Sequence, residues 1–244
     1  MSSSIILIPA RFASSRFPGK PLALINGKPM IQYVIDNCKN TGLDYCVVTD
    51  DQRIEDFITG INEKVVRVDD DVATGSERIA LAYERFFKDK DYDLIINVQG
   101  DEPLLKAKTI LDIVDSHLSS KADIYTGLNE RKSTDSDFDN PNIVKCIYNK
   151  ETNSCFYFSR ARVPFSREEE EYSWFQHIGI YSYRPKALVD FVALSPSIHE
   201  NLEKLEQLRA IDNGMTIHAK VINVKLIGVD VEDDIKKVEG VFCE

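Results

Sequence analysis

The sequence predicts an α/β protein built on a mainly parallel sheet, and three observations carry that prediction. Two short runs, Ile5 to Pro9 (IILIP) and Asp93 to Val98 (DLIINV), are too short for helices and suit strands buried on both faces. Between them, strand-like and helix-like segments alternate, the pattern of a sheet covered by helices on both sides. Finally, 43% hydrophobic residues in a 244-residue chain are enough for a full core, while no apolar stretch approaches the roughly 20 residues of a membrane span.

Taken in order, Ile5 to Pro9 places a central strand at the start. Pro29 sets the first turn of a helix with Met30, Ile31, Val34, Ile35 and Cys38 at helical spacing, stopping near Asn40-Thr41-Gly42. Tyr45 to Val48 reads as a strand, Arg53 to Ile58 as a short helix, Val65 to Val68 as a strand and Ser76 to Phe87 as a helix. A further helix is expected around Lys108 to Leu118, and the polar, turn-rich Arg131 to Asn142 reads as a loop or insertion. Ile143 to Tyr148, Cys155 to Ser159 and His177 to Tyr183 are strands with fewer helices between them, which suggests an antiparallel layer. His199 to Ile211 is expected to be one amphipathic helix with Leu202, Leu205, Leu208 and Ile211 on one side, and Ile235 with Val238 implies a last helix. One domain with an embedded subregion fits this order: a core of about 1–130 and 205–244, and a subregion of about 131–204.

A net charge of −10 argues against a nucleic-acid partner, since phosphate backbones recruit basic surfaces, so any anion must be bound locally. The five scattered cysteines form no C-x-x-C pair and are expected to be reduced thiols. Met1 to Ser4 lacks the features of a signal peptide, and no membrane partner is expected, so the expected location is the cytoplasm.

Several segments could carry chemistry. Arg11, Arg16 and Lys20 lie in one loop with a Pro18-Gly19 turn, at the carboxyl end of the first strand, where ligands of such sheets bind. The loop has neither a dinucleotide fingerprint nor a Walker motif, and fits a solvated surface as well as a cradle for a polyphosphate. Asp101 follows the second buried strand in a tight QGDEP turn, which suits either Mg²⁺ or a plain turn. Asp230, in GVD, is a second candidate carboxylate or a cap for the last helix. Thr74-Gly75-Ser76-Glu77-Arg78 opens a helix whose N–H groups could bind a base edge or phosphate, or simply be capped. Arg160, His177 and Tyr181 sit on strands of the second half, and Glu206 and Gln207 lie off a leucine stripe, where a solvated face is the plain alternative.

Read together, IPARFASSRFPGKPL, INGKPMI, VTDD, TGSERI, NVQGDEPL, NPNIVK, YFSRARVPF, HIGIYSY, LEKLEQLRA and GVDVEDD resemble, in order, the CMP-Kdo synthetase family, cytidylyltransferases that activate 3-deoxy-D-manno-octulosonate for lipopolysaccharide. The resemblance implies a nucleotide-diphospho-sugar transferase fold with a smaller dimerisation region, and hence a homodimer. It implies that Arg11, Arg16 and Lys20 hold the CTP triphosphate, that Thr74, Gly75 and Arg78 lie by the nucleotide, and that Asp101 and Asp230 bind Mg²⁺. Gln99, Arg160, His177, Tyr181, Glu206 and Gln207 match the positions around the eight-carbon 3-deoxy acid sugar. In the implied reaction the anomeric hydroxyl attacks the α-phosphorus of CTP, pyrophosphate leaves, and Arg11, Arg16, Lys20 and Asp101 serve the charge that accumulates. Two positions depart from the family pattern: Val72 stands where most members carry His, and Val231-Glu232-Asp233-Asp234 replaces T-P-E-D. Val72, SRFPGK, YFSRARVPF and LEKLEQLRA are closer to the branch that activates 8-amino-3,8-dideoxy-D-manno-octulosonate. The rivals are a transferase for another acid sugar or a sugar 1-phosphate, and a non-catalytic nucleotide-binding scaffold. The scaffold reading predicts loss of a metal carboxylate or loop cation, yet all five residues are present.

Overall fold

The run IILIP forms the middle of β1 (Ser4–Ala10), in which every residue is buried. The computed structural model describes residues 3–13, 17–168, 170–229 and 231–242. After β1 come the hairpin strands β2 (Leu24–Ile25) and β3 (Lys28–Pro29), then α1 (Met30–Lys39), β4 (Asp44–Thr49), α2 (Gln52–Gly60), β5 (Val65–Arg67), α3 (Gly75–Ala82), β6 (Leu94–Asn97) and α4 (Ala107–Leu118). The remaining elements are β7 (Ile124–Lys132), β8 (Lys145–Asn149), β9 (Ser154–Ser159), β10 (Ser173–Tyr183), α5 (Pro185–Ala193), α6 (Ile198–Glu203), α7 (Gln207–Asp212), β11 (Ile217–Val221) and α8 (Glu232–Phe242).

The chain divides into two compact units, Met1–Val114 with Lys225–Glu244, and Asp115–Val224. The cuts fall earlier and later than the positions near 130 and 205 suggested by the sequence. The physical reason is that β7 and β11, which flank those positions, pair in parallel from Ile217↔Ile124 to Val221↔Leu128 and so share one unit.

The first unit carries four parallel strands in the order β5-β4-β1-β6. Its α1 buries Met30, Ile31, Val34, Ile35 and Cys38, the helical stripe read from the sequence, and ends before Gly42, whose φ of 73° suits a residue without a side chain. Asp51 caps α2 by accepting from Arg53 N at 2.9 Å. Helix α3 is shorter than the expected Ser76–Phe87: it ends at Ala82 and runs on as a widened turn through Tyr83–Phe87. Ile25, Met30, Leu104, Val229 and Val238 form a buried cluster that ties α8 to the hairpin and α1.

In the second unit β10 pairs antiparallel with β7 and β8, β8 with β9, and β9 with β11, so the antiparallel layer is present with one parallel pair, β7–β11. Strand β7 extends to Lys132, into the segment expected to be loop. The expected helix over His199–Ile211 is instead two, α6 and α7, broken where Lys204 adopts φ 54°. The break rotates the leucine stripe apart: Leu205 and Leu208 are buried while Leu202 is 76% exposed.

Candidate functional site

In the first unit a cavity of about 130 Å³ opens where the sheet strands end, lined by Pro9, Ala10, Arg11, Ala13, Lys20, Pro21, Gly75, Gln99, Gly100 and Asp101. Most of these come from three segments the sequence singled out: the loop after β1, the N-terminus of α3, and the turn after β6. The loop is closed at its base by Gly19 N donating to Phe12 O at 2.9 Å, with Gly19 at φ 72° and no room for a side chain beside the Phe12 ring. The Phe12 ring in turn lies under the Arg53 guanidinium at 3.2 Å.

Within the cavity Lys20 Nζ stands 2.5 Å from Asp101 Oδ2. Arg11 Nη1 donates to Ala73 O at 3.3 Å, holding the loop to the residues that precede α3. Thr74 and Glu77 form a capping box, with Glu77 N donating to Thr74 Oγ1 at 3.2 Å and Thr74 N to Glu77 Oε2 at 3.2 Å. Gly75, the first residue of α3, therefore reaches the cavity from a fixed helix start, where backbone N–H groups favour an anion. Gln99 Nε2 donates to the buried Asn97 Oδ1 at 3.0 Å, which fixes the amide orientation and leaves Oε1 towards Gly75. Gly100 is required by space: a Cβ there would lie 2.9 Å from Pro9 O.

Arg78 does not line this cavity. Its side chain is buried, donating to Val68 O and pairing with Asp50 Oδ2 at 2.8 Å, so it braces α3 against the ends of β4 and β5. Asp50 belongs to the quoted VTDD motif, but nothing in the sequence paired it with Arg78. Arg16 and Asp230 lie outside the described residues. Val229 N donates to Asp101 O at 3.2 Å, which joins the segment before Asp230 to the QGDEP turn.

The second unit gathers the other predicted residues. The register of β10 against β7 shifts between Ile178 and Tyr181, and across the shift the His177 and Tyr181 rings lie 5.3 Å apart, with the Phe158 ring 5.0 Å from the imidazole. Thr126 Oγ1 donates to Ile180 O at 2.7 Å and stands 3.1 Å from His177 Nε2, so it accepts from Nε2–H. This leaves Nδ1 as an acceptor, and burial pushes the imidazole pKa down to about 3. Burial, then Tyr183 and Glu206, hold the Tyr181 phenol well above its ordinary value. Gln207 is buried at the first position of α7, directly after Glu206. Arg160 donates from Nε to Glu203 O at 2.7 Å, from Nη1 to Pro141 O at 2.9 Å and from Nη2 to Lys204 O at 3.4 Å. Sequence reasoning missed Asn97, Thr126 and Lys145, the residues that orient Gln99, His177 and the Arg160 turn. Each sits mid-strand or at a strand end in a pattern that reads simply as β.

A parallel α/β unit with a cation and a carboxylate paired where its strands end, beside the start of α3, has the form of a nucleotide-binding unit. More particularly, the chain belongs to the cytidylyltransferase family, whose model matches residues 5–217. It is 42% identical over 238 residues to an 8-amino-3,8-dideoxy-manno-octulosonate cytidylyltransferase from a Shewanella species, with 96% of each chain covered. It is 38% identical over 247 residues to a 3-deoxy-manno-octulosonate cytidylyltransferase from Parabacteroides distasonis, with 97% of each covered. A solved CMP:2-keto-3-deoxy-manno-octonic acid synthetase complexed with CTP superposes with a TM-score of 0.91 at 31% identity, covering 99% of both chains. Among the described residues no helix is long and apolar enough to cross a membrane, and the four described cysteines carry no disulfide.

Proposed function

We propose that the protein transfers a cytidylyl group from CTP to the anomeric hydroxyl of an eight-carbon 3-deoxy acid sugar, releasing pyrophosphate and a proton. The observation that carries this reading is the cavity itself, in which Arg11, Lys20 and the start of α3 present positive charge around the Asp101 carboxylate. A triphosphate meets the loop cations and the α3 N–H groups, and negative charge that grows on phosphoryl oxygens during displacement is opposed by groups already in place. In the second unit, His177 Nδ1, neutral at physiological pH, accepts a hydroxyl hydrogen bond, while Arg160 offers a planar fork to the sugar carboxylate. No His or Glu is needed as a dedicated base.

Mg²⁺ fits the donor set. Asp101 offers a hard carboxylate, 32% exposed at the cavity wall, and Mg²⁺ combines one or two carboxylates with phosphate oxygens and water. Asp230, which lies outside the described residues, is the proposed second carboxylate. When bound, Mg²⁺ supplies charge neutralisation and orientation at the phosphates.

Val72 and the SRFPGK, YFSRARVPF and LEKLEQLRA segments support the 8-amino sugar as the preferred acceptor. Incubation with CTP, Mg²⁺ and each sugar, followed by pyrophosphate release, tests the reading; silence with both sugars overturns it. Asp101→Asn is expected to reduce kcat by about 100-fold or more, and an unchanged rate removes Asp101 from the chemistry. Exposed Ile198 and Leu202, one turn apart on α6, support a homodimer; sedimentation of the wild type as a monomer at assay concentration argues against it.

A further inference from the structure

The NPNIVK segment ends on Lys145, and the reaction outlined above gives that residue no task. Lys145 is fully buried, yet it forms no ion pair among the described residues. Its ammonium donates to Asn140 O at 2.8 Å and to Arg160 O at 3.0 Å. Arg160 is held in the same manner: its guanidinium makes its hydrogen bonds to the carbonyls of Glu203, Pro141 and Lys204. The Glu203 carboxylate accepts from Arg160 N at 2.8 Å and from Ser159 Oγ at 2.6 Å.

Two cations thus share one turn; the Glu203 carboxylate is spent on a backbone N–H and a hydroxyl, and Asp139 and Asp137 act on the Lys145 ammonium through space without a hydrogen bond to it. A buried ammonium without a paired carboxylate is costly, and an apolar residue would fill the space more cheaply. The cost is rational if the hydrogen bonds of this ammonium serve to fix the turn that carries Arg160. Three carbonyls occupy three of the five N–H groups of Arg160, so two remain, enough for a bidentate carboxylate.

We propose that Lys145 and Glu203 are positioning residues for Arg160. Lys145 holds the Arg160 backbone carbonyl and Glu203 the Arg160 backbone N–H, and together they keep the remaining guanidinium N–H groups set to receive the carboxylate of the acid sugar. The inference rests on the reading of Arg160 as the partner of that carboxylate.

Steady-state constants for both substrates test it in Lys145→Met, Glu203→Gln, Arg160→Met and the double variants that combine Arg160→Met with each of the others. Lys145→Met and Glu203→Gln are each expected to raise KM for the acid sugar by about tenfold, with KM for CTP within about twofold of wild type. Each is expected to add nothing further on top of Arg160→Met, because the three act as one group. Sugar KM that is unchanged in both single variants while Arg160→Met raises it overturns the inference and leaves the sugar-site reading standing. Additive effects, or equal rises for CTP and sugar, overturn it as well. An Arg160→Met enzyme with unchanged sugar KM overturns the sugar-site reading, and the inference with it. If Lys145→Met fails to fold by circular dichroism, Glu203→Gln and its cycle with Arg160→Met decide the same question.

Discussion

Replacing Gly100 by Ala tests how closely the cavity depends on the approach of two strand ends. The added Cβ would stand 2.9 Å from Pro9 O and 3.3 Å from Ile31 Cδ1, where ordinary contact begins at 3.4 Å, so about 0.5 Å (3.4 − 2.9) must be found. β1 cannot supply it, because the strand is paired with β4 on one side and β6 on the other. The turn of residues 99–101 therefore moves and carries Gln99 and Asp101 with it. Overpacking of this kind costs about 1–3 kcal/mol, a fall of several degrees in Tm for a chain of this length. A 1 Å misplacement at a reacting centre can cost about 100-fold, so half that distance predicts a loss of about tenfold in kcat/KM. Pyrophosphate release and thermal melting measure both, with Gly60→Ala as control, since a Cβ at Gly60 meets nothing within 4 Å. A Gly100→Ala protein with wild-type kcat/KM refutes the claim that this close contact sets the geometry of the cavity.

Two further outcomes follow from buried polar groups. Arg78→Met is expected to destabilise by about 2–4 kcal/mol, somewhat below a fully buried pair because Asp50 is 26% exposed. Asp50→Asn should add little on top of it, and additive losses in chemical denaturation would show that the two are not coupled. His117 is buried, with Nε2 donating to Ala122 O at 3.0 Å and Nδ1 accepting from Ser182 Oγ at 2.8 Å, and burial lowers its pKa to about 4. The folded state therefore binds this proton more weakly than the unfolded state, whose His titrates near 6.5, so stability falls as pH drops from 6.5 towards 4. The slope from this group is at most about 1.4 kcal/mol per pH unit, and His117→Gln should flatten the measured curve over that window. An unchanged slope would mean that His117 is not held neutral.

Much of the fold was legible because apolar runs and helix stops are local. IILIP, the stripe from Met30 to Cys38 and the end near Gly42 all lie where the pattern put them. What escaped depends on partners distant in the chain. β11 carries His218 and Lys220 between small apolar residues and gains its identity from pairing with β7 about 90 residues away. Lys204 broke an otherwise regular leucine stripe by adopting φ 54°, a conformation that helical periodicity does not encode. The candidate site divides in the same way. Arg11, Lys20 and Asp101 were singled out by their strand-end positions and Gly75 by its place at a helix start, and they line one cavity with Gln99, which the resemblance had placed by the sugar. The true setting of Arg78 was not, because a helix-start arginine reads the same whether it faces a ligand or a buried aspartate.

The two units hold cations in opposite ways, and the difference bears on the ligands. In the first, Lys20 is matched by Asp101, so the pair contributes little net field until a polyanion competes for the lysine. On the proposed reading, a triphosphate that engages Lys20 leaves the carboxylate available to a cation, which ties nucleotide and metal affinity together. In the second unit the Arg160 and Lys145 side chains are hydrogen-bonded by carbonyl oxygens, while Asp139, Asp137 and Glu203 act on the Lys145 charge through space. On the proposed reading, the two N–H groups that Arg160 has left suit a carboxylate that arrives without a metal. On the same reading, an acidic chain binds two anions without a basic surface: Lys20 is held in an ion pair until a ligand that brings its own metal competes for it, while Arg160 is held by backbone carbonyls for a ligand that brings none.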